Sequence, residues 1–283
     1  MRSKVSIIRE IRASWREIVA AAVAKGAKRA PLAILPRVKL ELLTPPEGQY
    51  KLRKASTVFE AWESWGLTLA PHKTLGSGVN TCPNATTCPA SCLIYAGQNS
   101  MDAGQNARFW RTTLFYGAPS LFWELVTSEL RRISKRGRRL GVNVSFRCNV
   151  TSDLTALADK LARYSEESGL GLYFMDYTKS KTAAWGSLLG RSLVHRVLSF
   201  NCGSRGVTWN TCDRFLKAGG TVAVMYDPSE GFTMPSSFRG HPVIDGDSHD
   251  LRSIDEAGHV IMLEVKGTSN KTLKRARKLA VVI

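Results

Sequence analysis

A repeated alternation of β-rich runs and long connections constrains the fold of this chain more than any other feature. Apolar runs rich in β-branched and aromatic residues recur through the second half of the 283-residue sequence, and most are separated by stretches long enough for a crossover segment. The runs are Val142–Val150, Leu172–Tyr177, Val194–Phe200, Thr221–Tyr226, Pro242–Ile244 and Val260–Val265. This pattern predicts an α/β fold with a mostly parallel sheet, shaped as a partial (β/α) barrel.

The segments around these runs predict the helices. Apolar residues at helical spacing predict helices over 154–166 and 206–218, and a helical region over 103–137 that breaks at Gly117-Ala118-Pro119. Nearer the start, the sequence predicts a helix over 4–25, a proline-rich linker over 30–54, a short helix over 55–65 and a short strand at 67–70.

Positive charge is concentrated at the two ends of the chain. The net charge is +17, and residues 1–54 carry 13 Lys or Arg against 4 Asp or Glu. Residues 266–283 carry 6 Lys or Arg and no acid, whereas residues 55–265 are almost balanced. We therefore divide the chain into a basic helical extension with a linker (1–54), an α/β metal-binding core (55–265) and a basic tail (266–283).

Basic ends of this kind favour nucleic acid as a partner, with a solvated surface as the alternative. The candidate contact residues are Arg9, Arg12, Arg16, Lys28, Arg29, Lys274, Arg275 and Lys278. The helix over 4–25 also has a continuous apolar stripe, which favours docking on the protein's own core over lying on an anionic surface.

Three of the six cysteines, Cys82, Cys88 and Cys92, lie within eleven residues of a polar loop over 80–93. Such a loop does not bury thiols in a core, and thiolates this close in sequence can bind one inorganic centre. The trio favours an iron–sulfur cluster with one open iron, and zinc is the alternative. A zinc site needs a fourth ligand, for which His72, Cys148 and Cys202 are candidates; reduced thiols without a metal are the remaining possibility.

Polar side chains follow several of the predicted strands, where chemistry gathers in parallel α/β folds. Asn149, Ser152, Ser199 and Asn201 are candidates for cofactor binding, and Asp153, Asp176, Tyr177, Lys179, Asp245 and Asp247 are candidates for catalysis. Each cluster also has a structural explanation. Ser152 or Asp153 could cap the next helix, the 176–179 cluster could be a solvated strand end, and the Asp-Gly turn at 245–247 needs no metal.

The combination of these segments resembles the mycobacteriophage "gene product eighty-eight" family of uncharacterised phage and mobile-element proteins. The resemblance is carried by residues 69–74, the 80–93 loop, Gly97, Arg108, Arg111-Thr112, 149–153, 176–179 and 198–200. It covers roughly residues 66–265 and implies a phage or plasmid origin, with no activity to transfer.

Three functions are consistent with these features. The first is an iron–sulfur enzyme similar to the radical S-adenosylmethionine class, acting on nucleic acid or nucleotides. The second is a non-enzymatic, zinc-stapled nucleic-acid-binding protein that serves phage or plasmid replication, and the third is a Mg²⁺-dependent nuclease built on Asp245 and Asp247. No phosphate-loop or dinucleotide-binding motif is present, so the sequence gives no support for nucleotide hydrolysis or dinucleotide binding. No apolar run is long enough to span a membrane, and we therefore expect a cytoplasmic protein.

Overall fold

The computed structural model describes residues 2–92, 94, 100–202, 206–228, 233–266 and 270–281. Its helices are α1 (Lys4–Ala13), α2 (Trp15–Ala24), α3 (Tyr50–Val58), α4 (Asp102–Gly117), α5 (Pro119–Leu140), α6 (Thr155–Glu167), α7 (Lys181–Leu188), α8 (Trp209–Lys217) and α9 (Asn270–Arg277). Its strands are β1 (Leu43–Thr44), β2 (Trp62–Leu67), β3 (Asn143–Arg147), β4 (Leu172–Thr178), β5 (Val194–Ser199), β6 (Val222–Tyr226), β7 (Ser237–Phe238), β8 (His241–Asp245) and β9 (Val260–Glu264).

The strands form one sheet in the order β1-β2-β3-β4-β5-β6-β9-β8-β7. Neighbouring strands from β2 to β8 run parallel, and β1 and β7 pair antiparallel at the edges. The predicted α/β class and mostly parallel sheet are thus confirmed, and each predicted run contains a strand. The sheet is open, because no pairing joins β1 to β7 within the residues described.

The helix predicted over 55–65 is wrong. α3 ends at Val58, and the chain then enters β2, in which Trp65 and Leu67 are buried. Phe59, Trp62 and Trp65 recur every three residues, which is close to the helical period, but pairing with β3 makes residues 62–67 a strand. The helix predicted over 4–25 is divided at Ser14 into α1 and α2, while the break before Pro119 separates α4 from α5 as predicted.

The basic extension packs on the same core as the sheet. Ile7, Ile11 and Ile18 are at most 4% exposed and belong to one apolar cluster with residues of α4, α5, β2 and β3. α1 contacts α5, and α2 contacts α4. The apolar stripe of these helices is therefore buried inside the protein, as the docking interpretation predicts.

Helices and one connecting segment cover opposite faces of the sheet. Alternate side chains such as Phe146 and Phe174 face the apolar core under α5 and α6, and their neighbours face the other way. On that second face, α3 and the β8–β9 segment pack together: Lys54 Nζ donates to Asp247 O at 2.6 Å. This packing leaves the carboxyl ends of the strands as the open part of the second face.

Gly117 allows α2 to approach the end of α4. A Cβ at this position would lie 2.1 Å from the Ile18 carbonyl oxygen. We expect Gly117→Ala to lower the free energy of unfolding by about 2 kcal/mol in a urea titration, because backbone must move. Gly186→Ala in α7 is the matched control: a Cβ there meets nothing within 4 Å, so stability should be kept or rise. Equal stability of the two variants would contradict the docking.

Candidate functional site

The cysteine loop leaves the carboxyl end of β2 and is tied back to the sheet by hydrogen bonds. Thr81 Oγ1 donates to Ala70 O at 2.5 Å, and Thr151 Oγ1, in the loop after β3, donates to Leu69 O at 2.5 Å. Asp153 N donates to Thr81 O at 2.8 Å. Because both threonines are buried, these bonds fix the loop over the ends of β2 and β3. Leu93 and Gly97 lie outside the described residues.

Two cavities share the cysteine loop as a wall. The larger one, of about 460 Å³, is lined by Cys82, Cys88 and Cys92. The smaller one, of about 200 Å³, is lined by Cys88 and Cys92 together with side chains at the carboxyl ends of β3, β4, β5, β6 and β9. The three cysteines therefore share one cavity, and two of them also face the ends of the parallel strands.

The thiols of this loop are half-buried and reduced. Burial raises the pKa of Cys82 to about 12, and a charge on the neighbouring Cys92 adds to this effect. Burial also raises the pKa of Cys88, which the nearby Lys179 ammonium partly offsets. Thiolates at these positions are therefore costly unless a cationic centre compensates them.

Among the residues described, no group of three or more His, Cys, Asp or Glu side chains is compact enough to hold a metal ion. Cys82, Cys88 and Cys92 nevertheless line one cavity, and in a [4Fe–4S] cluster each thiolate would bind a different iron.

His72 is the candidate fourth ligand that lies beside the cysteines. It lines the larger cavity, and its backbone N–H donates to Cys82 Sγ at 3.1 Å. Its Nδ1 is buried without a hydrogen-bond partner among the described residues, and its backbone φ of 47° is unusual for a residue other than glycine. Cys148 packs in the main core and Cys202 packs beside α8, and neither lines these two cavities.

Asp153 joins the cysteine loop to the end of β4. Its carboxylate accepts hydrogen bonds from Thr178 Oγ1 at 2.7 Å, from Lys179 N at 3.1 Å and from the Asn84 side chain. Burial nevertheless raises the pKa of Asp153. Neither Asp153 nor Ser152 caps α6, because its N-cap residue is Leu154 and no side chain accepts a capping hydrogen bond there.

Asn149, Ser152 and Asp176 bond mainly to one another. Asn149 donates to the Asp176 carboxylate from its backbone N and from Nδ2, both at 2.7 Å, and Ser152 Oγ donates to Asn149 Oδ1 at 2.8 Å. Burial raises the pKa of Asp176 to about 7, opposed by these bonds and by Arg147 and Arg196. This buried network joins the end of β3 to β4, and its members do not line the two cavities.

Lys179, Ser199 and Asn201 line the smaller cavity opposite the cysteines. In the amide orientation that satisfies both neighbours, Asn201 accepts from Lys179 Nζ at 2.8 Å and donates to Phe200 O at 2.8 Å. Burial lowers the pKa of Lys179, although Cys88 and Asp153 favour its charged form. The smaller cavity thus presents the Lys179 amine, the Asn201 amide and the Ser199 hydroxyl together with two thiols.

Arg147, which the sequence analysis did not select, lies in the same cavity. It forms a buried ion pair with Asp250, and its guanidinium lies 4.6 Å from the centre of the Tyr177 ring. Tyr177 OH donates to Asp250 Oδ1 at 3.1 Å, and burial followed by the Asp250 charge raises the Tyr177 pKa. The sequence signal that could have identified Arg147 is its positive charge within a predicted, largely apolar strand.

Asp245 ends β8 and Asp247 lies in the turn that follows, and neither lines the two cavities. Asp245 Oδ1 accepts from Asp247 N at 2.8 Å. The Asp247 carboxylate accepts from Glu264 N at 2.8 Å and pairs with Lys266 at 2.6 Å. These bonds are those of a turn that connects β8 to the end of β9.

The predicted nucleic-acid contacts occupy two different regions. Arg9 and Arg16 are exposed on α1 and α2, and Arg12 donates to the carbonyl oxygens of Pro36 and Arg37. The others lie near the cysteine loop. Lys28 and Arg29 line the larger cavity, and α9 with its flanking residue, which carry Lys274, Arg275 and Lys278, packs on the short 3₁₀ helix Cys88–Ser91.

Together these features define an open, mostly parallel α/β protein with a three-cysteine loop at the carboxyl edge of its sheet. Residues 41–280 match the family model described as Gene product 88. The chain therefore belongs to this phage protein family, and the match begins within the predicted linker and ends within the basic tail. Searches of curated proteins and of solved structures gave no match. None of the described helices is long and apolar enough to cross a membrane.

The buried Asp176 should make stability depend on pH. Its folded-state pKa, about 7, lies above the ordinary value for Asp, so the folded protein holds a proton that the unfolded chain has lost. By linkage, the free energy of unfolding should fall as the pH rises from about 4 to 7. Relative to Asp176→Asn, wild type should lose stability across this range in urea titrations. A constant difference between the two proteins would contradict the burial of this carboxyl group.

Removing the Asp153 carboxylate should loosen the cysteine loop. In metal-free protein, we expect Asp153→Ala to speed alkylation of Cys82 and Cys88 by about tenfold, because loop contacts and a negative charge are both lost. Peptide mass spectrometry after timed labelling measures the rates. Asp159→Ala in α6, which removes the partner of Arg196, is the control and should leave both rates unchanged. Equal acceleration by the two variants would show general destabilisation instead.

Proposed function

We propose that this protein is an iron–sulfur enzyme similar to the radical S-adenosylmethionine class, acting on nucleic acid or nucleotides. Cys82, Cys88 and Cys92 would hold the cluster. The observation that carries the proposal is the shared cavity: all three thiols line one space, beside the carboxyl ends of strands that run parallel and in chain order from β2 to β6. A partial-barrel curvature of this sheet is part of the same proposal.

A bound cluster would offset the free-energy cost of ionising these half-buried thiols. Half-buried thiols with raised pKa values become stable thiolates only beside a strongly cationic centre. Three ligands would leave one iron open for S-adenosylmethionine or a related ligand, and the cluster would supply the electron for reductive chemistry. Zinc bound by the same thiols, with His72 as a fourth ligand, is the competing centre, and His72 Nδ1 has no hydrogen-bond partner in the part of the structure described.

The protein's own residues would orient a bound cofactor in the smaller cavity. Lys179 and Asn201, which face Cys88 and Cys92 across it, suit a carboxylate and a hydroxyl group. Ser199 adds a further hydroxyl at the end of β5. Asp153 would fix the Lys179 backbone relative to the cysteine loop, because it bonds to both. Asp176, through Asn149, would keep the ends of β3 and β4 rigid beneath them.

The cluster predicts a specific dependence of iron content on these cysteines. Protein purified without oxygen should be brown and contain iron and acid-labile sulfide, and Cys82→Ser, Cys88→Ser and Cys92→Ser should each lose most of both. Cys212→Ser is the matched control, because Cys212 is a buried residue of α8 and lines neither cavity. Its iron and sulfide content should equal wild type.

The other metal outcomes separate the alternatives. Colourless protein with one zinc per chain that the three serine variants lose would replace the enzyme proposal with the zinc-stapled binding protein. Protein without iron or zinc, even after reconstitution with iron and sulfide under anaerobic conditions, would refute both. Elemental analysis and the absorbance of the cluster measure these results on the same samples.

A further inference from the structure

The larger cavity has thiols on one wall and cations on the other. Lys28, Arg29 and Lys73 line it and are exposed to solvent, and its described lining contains no Asp or Glu. Within the residues described, none of these three side chains has a carboxylate partner within 4.0 Å. The cations are therefore available to a ligand, and their charge favours an anion.

A glycine contact holds Lys28 and Arg29 at this cavity. A Cβ on Gly76 would lie 2.1 Å from Gly26 O, and one on Gly78 would lie 2.6 Å from Lys25 O. Arg29 N also donates to Leu75 O at 2.8 Å. The turn that carries Lys28 and Arg29 therefore packs closely on the loop that leads into the cysteines. This close packing requires glycine at positions 76 and 78.

A second basic element flanks the same loop. α9 packs against the 3₁₀ helix Cys88–Ser91, and Lys274, Arg275 and Lys278 are exposed on or just after it. Arg277, by contrast, pairs with Asp227 at 2.8 Å. Two separate segments, the turn after α2 and the helix α9, therefore bring cations to the cysteine loop.

We propose that the larger cavity takes one nucleotide of a single-stranded nucleic acid. Lys28 and Arg29 bind its phosphate, and α9 binds the phosphates of neighbouring nucleotides. In the proposed function the cluster occupies the cysteine side of this cavity of about 460 Å³, so the nucleotide takes the space beside Lys28, Arg29 and Lys73. A base enters such a cavity only when it is unpaired. This inference rests on the proposed function for the chemistry at the cysteines, but the phosphate contacts do not need the cluster.

Binding of fluorescein-labelled oligonucleotides of about 12 nucleotides tests the inference, with DNA and RNA strands and their duplexes compared by fluorescence anisotropy. The full-length protein is used, and its iron content is measured on the same sample. Lys28→Ala/Arg29→Ala should weaken single-strand binding about tenfold. It should also reduce the slope of log K against log salt by about 0.7, because Lys28 and Arg29 share one phosphate and each phosphate contact on a single strand contributes about 0.7.

Two further variants test whether the loss of binding is specific to the cations at the cavity. Arg9→Ala/Arg16→Ala removes the same charge from α1 and α2, away from the cavity, and should leave affinity unchanged. Gly76→Ala changes no charge but displaces the basic turn, and it should weaken binding like the Lys28/Arg29 variant while circular dichroism confirms folding.

Three results would overturn the inference: equal losses in the two double variants, duplexes that bind as tightly as single strands, or a mononucleotide that competes as well as the oligonucleotide. Protein that stays iron-free after anaerobic reconstitution and still binds as expected would refute the proposed function alone. Iron-loaded protein that does not bind would refute the inference alone.

Discussion

The hydrogen bonds that tie the cysteine loop to three neighbouring strand ends are the constraint on which this site depends. The loop follows β2, and Thr151 and Asp153 from the end of β3 hold its backbone. The Asp153 carboxylate then reaches Thr178 and the Lys179 backbone at the end of β4. Because these groups are buried, each unmade bond would be costly, so loop and sheet edge are fixed together.

The parallel sheet explains why distant parts of the sequence meet at this edge. Successive parallel strands deliver their carboxyl ends to one side, so residues from β3 to β9 line one small cavity. The termini join them by separate contacts: the turn after α2 sits on the Gly76–Gly78 loop, and α9 packs on the Cys88–Ser91 helix. Positively charged residues from both ends of the sequence therefore lie beside the cysteine loop.

Local pattern was enough to predict most of the architecture. The β-rich runs and the break before Pro119 identified strands and helices correctly, because burial on both sheet faces makes strands continuously apolar. The 55–65 segment failed because pairing with β3, a partner some 80 residues away, overrides a weak helical pattern. The prediction that Ser152 or Asp153 caps the next helix failed because both side chains bond to other residues of the buried network, Ser152 to Asn149 and Asp153 to Thr178 and the Lys179 backbone.

The candidate site was only partly visible in the sequence. The cysteines and Lys179 stood out by type and spacing, and they share cavity walls. Arg147 and Lys73 did not stand out, because the role of a single positively charged residue in a strand or loop depends on neighbours that the sequence does not show. Asp245 and Asp247 attracted attention as a dense acidic run, yet their oxygens bond to backbone and to Lys266 in a turn.

The most direct measurement is the Mössbauer spectrum of protein purified without oxygen and enriched in the active iron isotope. Three cysteine ligands around one cluster predict one iron that differs from the others, and its signal alone should shift when S-adenosylmethionine is added. A cluster with equivalent irons, or no cluster while Cys82, Cys88 and Cys92 all remain free to alkylate, would contradict the shared centre on which the proposed chemistry depends.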